Sequence, residues 1–328
     1  MEDNERFSYT AASSFPIKIL LDSELVESIE KNKMILPRHL QLYPTNRCNQ
    51  NCPYCSCSER DKKLELDFYK IMDLMIEAKE LGCKSVTISG GGEPILHKNI
   101  EDIIKLIDGL GIKIGLVSNG LELHTRLSKE SLGSIVWCRV SYDDYRTNTD
   151  KFLENLEKAV MKAPYIDWAF SYVLTKYPNF ENLEKIIQFA NEHNFTHVRV
   201  VTDLLEPYKV PIAETSKKIK EKGIDDSLVI YQDRSHFTPG VKECYISLLK
   251  PVITAGGYIV GCCGWQYRHY KPSRSDMDGD YMGKIEEFGE IIRKQKYYDG
   301  SKCYRCYYSD YNNILKILLK GIKHKEFL

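Results

Sequence analysis

A chain of 328 residues is longer than most single domains but within reach of one α/β barrel with a small module attached. Its 46 basic residues equal its 46 acidic ones, so the whole chain has no net field to gather nucleic acid, and no run approaches the roughly 20 apolar residues that span a bilayer. The polar start, MEDNERFSYTAASS, lacks the basic-then-apolar order of a signal peptide, which makes the cytoplasm the expected compartment. Eleven cysteines under reducing conditions then point to metal or cluster ligation rather than disulfides.

Residues 1–35 read as an N-terminal extension, and from residue 36 strand-like and helix-like segments alternate. The spacing predicts a strand over His39–Thr45. An amphipathic helix follows over Asp67–Leu81, with Phe68, Ile71, Met72, Met75 and Ala78 on one face and Gly82 as a stop. A strand over Lys84–Ser89, a helix over Asn99–Leu110 and strands over Ile112–Ser118 and Ile135–Ser141 come next. Thr149–Met161 (helix), Ile166–Leu174 (strand), Asn179–His193 (helix) and Thr196–Thr202 (strand) continue the alternation. Such units predict an α/β fold with a parallel sheet flanked by helices. Six of them, where a closed barrel has eight, predict a partial (β/α)6 TIM-like barrel over residues 36–226. After Asp226 the pattern changes. Lys250–Gly261 predicts a hairpin turning at Gly256–Gly257, Ile285–Lys296 a helix, and Asn313–Leu328 a C-terminal helix docked on the barrel. Five of the eleven cysteines (Cys244, Cys262, Cys263, Cys303, Cys306) lie here, so residues 227–328 read as a small hairpin-plus-helix domain.

The strongest motif is Cys48-Asn-Gln-Asn-Cys52-Pro-Tyr-Cys55, directly after the first strand. Three thiolates so close together can take three corners of a 4Fe–4S cube, and the missing fourth ligand leaves one iron open to a small molecule. A zinc knuckle is the competing reading, with an unusual spacing. Ser89-Gly90-Gly91-Gly92-Glu93-Pro94 ends the second strand. Its glycines let the backbone approach a ligand and Glu93 can hold an ammonium group; a plain tight turn is the alternative. Val117-Ser118-Asn119-Gly120 ends the third strand and Arg139-Val140-Ser141-Tyr142-Asp143 the fourth. Strand alternation puts Arg139, Ser141 and Asp143 on one face and Cys138 on the other.

Cys-x3-Cys-x2-Cys with an aromatic residue before the last cysteine resembles the radical S-adenosylmethionine (SAM) superfamily, and the resemblance extends over roughly residues 36–205. It implies a catalytic 4Fe–4S cluster on Cys48, Cys52 and Cys55, whose open iron chelates the methionyl amine and carboxylate of SAM. It also implies Tyr54 near the adenine, Gly90, Gly91, Gly92 and Glu93 at the methionyl ammonium, and Ser118 and Ser141 at the ribose or carboxylate. Asn119, Asp143 and, on the sixth strand, Arg199 complete the candidate cofactor set, with a substrate clamp or a surface ion pair as competing roles for Arg199.

Gly257-Tyr-Ile-Val-Gly-Cys262 and Cys303-Tyr-Arg-Cys306 resemble the twitch domain, the shortened relative of the SPASM domain. That resemblance implies an auxiliary 4Fe–4S cluster on Cys244, Cys262, Cys303 and Cys306, and no second auxiliary cluster, because no cysteine follows Cys306. A four-thiolate zinc site competes with the cluster, and Cys263 competes with Cys262 as ligand. Among the other cysteines, Cys83 and Cys138 read as core residues. Cys57 and Cys263 read as bystanders or hydrogen-atom donors.

The resemblance implies that flavodoxin or ferredoxin reduces the first cluster, and that SAM cleavage yields a 5′-deoxyadenosyl radical that takes a hydrogen atom from substrate. It names no further catalytic residue. A fully ligated auxiliary cluster has no iron for substrate, which points to an electron acceptor and to a dehydrogenase acting on a sugar or aminocyclitol-like small molecule. Modification of a ribosomally made peptide, by epimerisation or cross-linking, is the alternative, although the about 35 residues before the first strand are short for a leader-recognition domain. A non-enzymatic metal-binding or electron-transfer protein is the third reading. Asp143, Asp144, Arg146, Lys176, Arg199 and Asp203 are candidate substrate contacts; no nucleic-acid or membrane partner is expected.

Overall fold

The computed structural model describes residues 11–146, 148–206, 212–268 and 280–324. Two helices, α1 (Ala11–Leu20) and α2 (Ser23–Asn32), precede the sheet. Its parallel part runs β1 (His39–Leu42), β2 (Ser85–Ile88), β3 (Lys113–Ser118), β4 (Ile135–Tyr142), β5 (Asp167–Leu174), β6 (His197–Thr202) and β7 (Val229–Gln232), each strand pairing with the next in chain order. The crossovers carry α3 (Phe68–Glu80), α4 (Ile100–Gly109), α5 (Thr149–Lys162), α6 (Phe180–Glu192) and α7 (Ile212–Glu221). In α4 the isoleucines 100, 103, 104 and 107 are all buried, the stripe a helix needs to cover one face of a sheet. Asp67 caps α3 by accepting from the amides of Tyr69 and Lys70.

The fold is the mixed α/β, open parallel-sheet architecture that the alternation predicts, with three differences. A seventh strand, β7, extends the sheet beyond the six expected and pairs in parallel with β6. Its sequence, Val-Ile-Tyr-Gln, lacks the polar–apolar alternation of His-Leu-Gln-Leu in β1 and Ser-Val-Thr-Ile in β2. The hairpin at Lys250–Gly261 forms as β8 (Val252–Ile253) and β9 (Tyr258–Val260), and β8 pairs in parallel with β1. With β10 (Gly283–Lys284), the C-terminal strands therefore continue the same sheet beyond β1, in the order β10-β9-β8-β1-β2-β3-β4-β5-β6-β7. The expected helix at Ile285–Lys296 is shorter, a 3-10 turn over Ile285–Glu287 followed by α8 (Phe288–Arg293). The last helix, α9 (Ser309–Lys320), buries Leu315 and sets Tyr311 4.5 Å from the Phe15 ring of α1, while residues 325–328 lie outside the described part. No helix among the described residues is long and apolar enough to cross a membrane.

Alternation gives the sheet two unlike faces. Leu40, Val86, Leu116, Cys138, Val140 and Val198 are buried beneath the helices. On the opposite face His39 bonds Ser85 and Thr87 through its two ring nitrogens, at 2.8 and 3.0 Å, and closes one end of the lumen with a polar plug. Burial and the nearby Lys250 charge hold the His39 ring well below its ordinary pKa, which keeps the plug neutral. The strand ends at the other end of the lumen carry the motifs.

Candidate active site and auxiliary cysteine cavity

The cysteine loop is clipped at its base. An isolated antiparallel bridge joins Thr45 to Glu65, and the Asn46 amide donates to Leu64 O at 2.9 Å, so residues 46–64 project as one loop from the end of β1. Inside it, Cys55 N donates to Cys52 O at 3.1 Å. The Arg60 side chain, buried, donates to Asn46 O at 2.9 Å and to Cys57 O at 2.6 Å, and reaches Cys55 Sγ at 3.5 Å. A hydrogen bond from the Cys57 thiol, with Arg60 behind it, holds Cys55 below the ordinary thiol pKa. Burial instead raises Cys48 and Cys52. Cys57, which the sequence leaves as a bystander or hydrogen donor, is buried in the loop with its sulfur 4.0 Å from Ser56 Oγ.

The glycine triplet packs on that loop. Gly92 N donates to Thr45 O at 3.1 Å and Glu93 N to Arg47 O at 2.7 Å. A Cβ on Gly91 would strike Asn46 Oδ1, and one on Gly92 would strike Arg47 O, so the two backbones can meet only without side chains there. Glu93 is buried, and burial pushes its carboxyl up to about 7, against hydrogen bonds from Asn119 N (2.6 Å) and Ser118 Oγ (2.8 Å) that favour ionisation. Asn119 Nδ2 donates to Asn49 Oδ1 of the cysteine loop at 2.7 Å. Tyr54 OH donates to Asp143 Oδ2 at 2.7 Å, and Cys52 Sγ lies 4.0 Å from the same oxygen. Desolvation and the Asp143 charge drive the Tyr54 phenol far up, so it remains a donor. Cys48, Cys52, Cys55, Tyr54, Gly90, Gly91, Gly92, Glu93, Ser118, Asn119 and Asp143 thus meet at the ends of β1 to β4.

Arg146 ties this group together in a way the sequence does not reveal. It lies buried, 3.9 Å from Asp143 as an ion pair, donates to Asn119 O and Ser141 O, and stacks 4.3 Å over Phe152. Ser141 sits beside it at the end of β4. Arg199 stands apart, with its guanidinium donating to Ser171 Oγ at 2.7 Å across β5. Of the other candidate contacts, Asp144 binds Tyr172 OH, Asn179 N and Asn182 Nδ2, and so anchors α6. Lys176 lies 5.0 Å over the Tyr177 ring, and Asp203 accepts from Leu205 N.

A second site lies in the C-terminal segment. Cys244, Cys262, Cys303 and Cys306 line one small cavity, walled also by Trp265 and Tyr298. Cys263 does not line it and lies 3.2 Å from Tyr308 OH. Backbone bonds fix the frame: Gly240 N to Cys303 O (2.8 Å), Thr238 N to Cys306 O (3.1 Å) and Cys244 N to Tyr298 O (3.2 Å). Asp280 braces the wall through Arg268 at 3.1 Å and Tyr298 OH at 2.5 Å. Burial pushes the Cys244 thiol up to about 12 and, with the Cys306 charge, Cys303 up to about 11. Such a crowd of buried thiols ionises only around a cationic centre. Four thiolates lining one cavity can each bind a different iron of a cube. A small gap between Asn46 and Gly91 on one side and Cys262 and Gln266 on the other, with Ser56 Oγ donating to Gln266 at 3.2 Å, makes the two sites neighbours.

Residues 42–205, half of the chain, match the family model described as the radical SAM superfamily, and the chain belongs to that superfamily. Membership brings a 4Fe–4S cluster and SAM as cofactors. The chain is 28% identical to a probable GTP 3′,8-cyclase of Sulfurisphaera tokodaii over 242 residues, 66% of this chain and 75% of that one. It is 26% identical to an uncharacterized protein of Archaeoglobus fulgidus over 172 residues, and there it spans only 38% of the relative's length. Among solved structures, Streptococcus suis SuiB bound to precursor peptide SuiA superposes with a TM-score of 0.58 at 14% identity, covering 92% of this chain and 78% of SuiB, a likeness of fold.

Proposed function

We propose that this chain is a radical SAM oxidoreductase that removes two electrons from an alcohol-bearing small molecule, using a second, auxiliary 4Fe–4S cluster as electron acceptor. Cys48, Cys52 and Cys55 would hold the first cluster, with one iron left for SAM. Glu93 would take the methionyl ammonium, Ser118, Asn119 and Ser141 the polar oxygens, and Tyr54 the adenine side, with Asp143 and Arg146 fixing their positions. The cluster and SAM together, once an electron arrives from flavodoxin or ferredoxin, supply a 5′-deoxyadenosyl radical. Abstraction of hydrogen from a carbinol carbon would leave a carbon radical whose loss of one electron to a cluster on Cys244, Cys262, Cys303 and Cys306, and of its hydroxyl proton to solvent, would give a ketone.

The observation that carries this reading is the single cavity lined by Cys244, Cys262, Cys303 and Cys306 beside the cysteine loop. Four thiolates saturate a cube, leave no iron for substrate, and favour an electron-accepting role. These four residues and residues 227–328 as their domain are part of the same proposal. The likeness to peptide-bound SuiB concerns the fold and adds nothing about substrate. Metal analysis after anaerobic reconstitution tests the ligand sets. We expect about eight irons per chain and no zinc; about four irons with one zinc would remove the auxiliary cluster from the account.

A further inference from the structure

Three arginines share the concave face of the sheet, and among the described residues no carboxylate pairs with any of them. Arg139 lies on β4, Arg199 on β6, and Arg234 just after β7. The Nε atoms of all three are buried and have no hydrogen-bond partner. None takes part in an ion pair among the described residues; their contacts are the Trp137 ring for Arg139, Ser171 Oγ for Arg199, and Gln232 and the Tyr307 ring for Arg234. Burial, and after it the charge of Arg234, holds Arg139 down to about 10. Burial and the charges of Arg139 and Arg234 push Arg199 further below its ordinary value. Burial and the charges of Arg139 and Arg199 hold His197 down to about 3, so the ring between them adds no fourth charge. The acidic groups nearest Arg199 are Cys263 and Tyr308, a thiol and a phenol that bond each other at 3.2 Å, with the phenol pushed far up.

The three side chains are half-buried with their Nε atoms enclosed, and like charges crowded there without a carboxylate partner cost stability that packing alone does not return. The arrangement makes sense as a site preorganised for an anion. Its place agrees. Arg199 lies in register with Ser171 and, through it, with Ser141 at the SAM end of β4, while its nearest acidic groups belong to the C-terminal segment. Arg199 therefore faces the SAM end of β4 on one side and the C-terminal segment on the other. Arg146 also has unpartnered nitrogens, Nε and Nη1, but differs in having a carboxylate, Asp143, as its ion-pair partner.

We infer that Arg139, Arg199 and Arg234 bind a dianionic phosphate group on the substrate, so that the alcohol oxidised belongs to a phosphate ester such as a sugar phosphate. A terminal phosphate offers three oxygens and two charges, which suits three guanidiniums better than a single carboxylate does. The same field repels an ammonium, which removes the aminocyclitol expected from the sequence and keeps the sugar. This assignment rests on the oxidoreductase reading above and narrows its substrate.

Titrating inorganic phosphate into the reconstituted, SAM-loaded enzyme, at ionic strength matched with sodium chloride, tests the site. Calorimetry should show saturable binding, weakened at least tenfold by Arg139→Gln and by Arg199→Gln. Both variants should melt no lower than the parent in phosphate-free buffer, because each removes an uncompensated charge; a structural role for the arginines predicts the opposite. Absence of saturable phosphate binding, undiminished binding in the variants, or equal binding of succinate would overturn the inference. Formation of 5′-deoxyadenosine is measured on the same samples. Its persistence with a negative titration sinks the phosphate site alone, whereas its absence from the parent enzyme sinks the radical SAM reading beneath it.

Discussion

Replacing Cys48, Cys52 and Cys55 together by alanine should remove about four of about eight irons and reduce 5′-deoxyadenosine formation to background. The loss should be chemical, with the fold retained. The loop stays clipped by the Thr45–Glu65 bridge, and Arg60 still donates to Asn46 O and Cys57 O after the thiols are gone. The auxiliary cysteines belong to a separate backbone frame, so their iron should remain. Iron analysis, circular dichroism and chromatographic assay of 5′-deoxyadenosine check the three parts of this expectation. Continued SAM cleavage in the triple variant would place the open iron elsewhere.

Changing Cys303 and Cys306 to alanine should have the complementary effect. Their backbone oxygens accept from Gly240 N and Thr238 N, contacts that do not involve the side chains, so the segment should keep its course. About four irons should be lost, SAM cleavage should continue in reduced and uncoupled form, and ketone formation should fall by at least about a hundredfold. The split between the two products carries the argument. A structural collapse would depress both together, whereas loss of an electron acceptor leaves the radical formed but the substrate unoxidised.

Much of the site is local in sequence and was readable there. The cysteine spacing, the Gly90–Gly92 approach to the loop and the strand-end positions of Ser118, Ser141 and Asp143 all follow from residues near one another in the chain. What the sequence could not disclose depends on side chains converging after the sheet forms. Arg60 is one charged residue among many until the loop folds over it, and Arg146 acquires its role only when Asp143, Asn119 O and Ser141 O surround it. Cys262 and Cys263 are equivalent as letters and differ in the direction of their side chains, one lining the cavity and the other meeting Tyr308. Arg139 lies on β4, Arg199 on β6 and Arg234 just beyond the end of β7, and only the pairing of these strands brings them to one face. The Val-Ile-Tyr-Gln of β7 lacks the polar–apolar alternation that β1 and β2 show at the same length.

The central claim is that the substrate radical ends as an oxidised product rather than regaining hydrogen, and mass spectrometry in heavy water reads that outcome directly. The reconstituted enzyme, with SAM and a reductant, is given a panel of polyols and sugar phosphates, and the compound that stimulates 5′-deoxyadenosine formation is followed. The account predicts a product lighter by one H₂, with no solvent deuterium at the reacting carbon. A product of unchanged mass in ordinary water that gains one carbon-bound deuterium in heavy water, supplied by an exchangeable thiol such as Cys57 or Cys263, would contradict it.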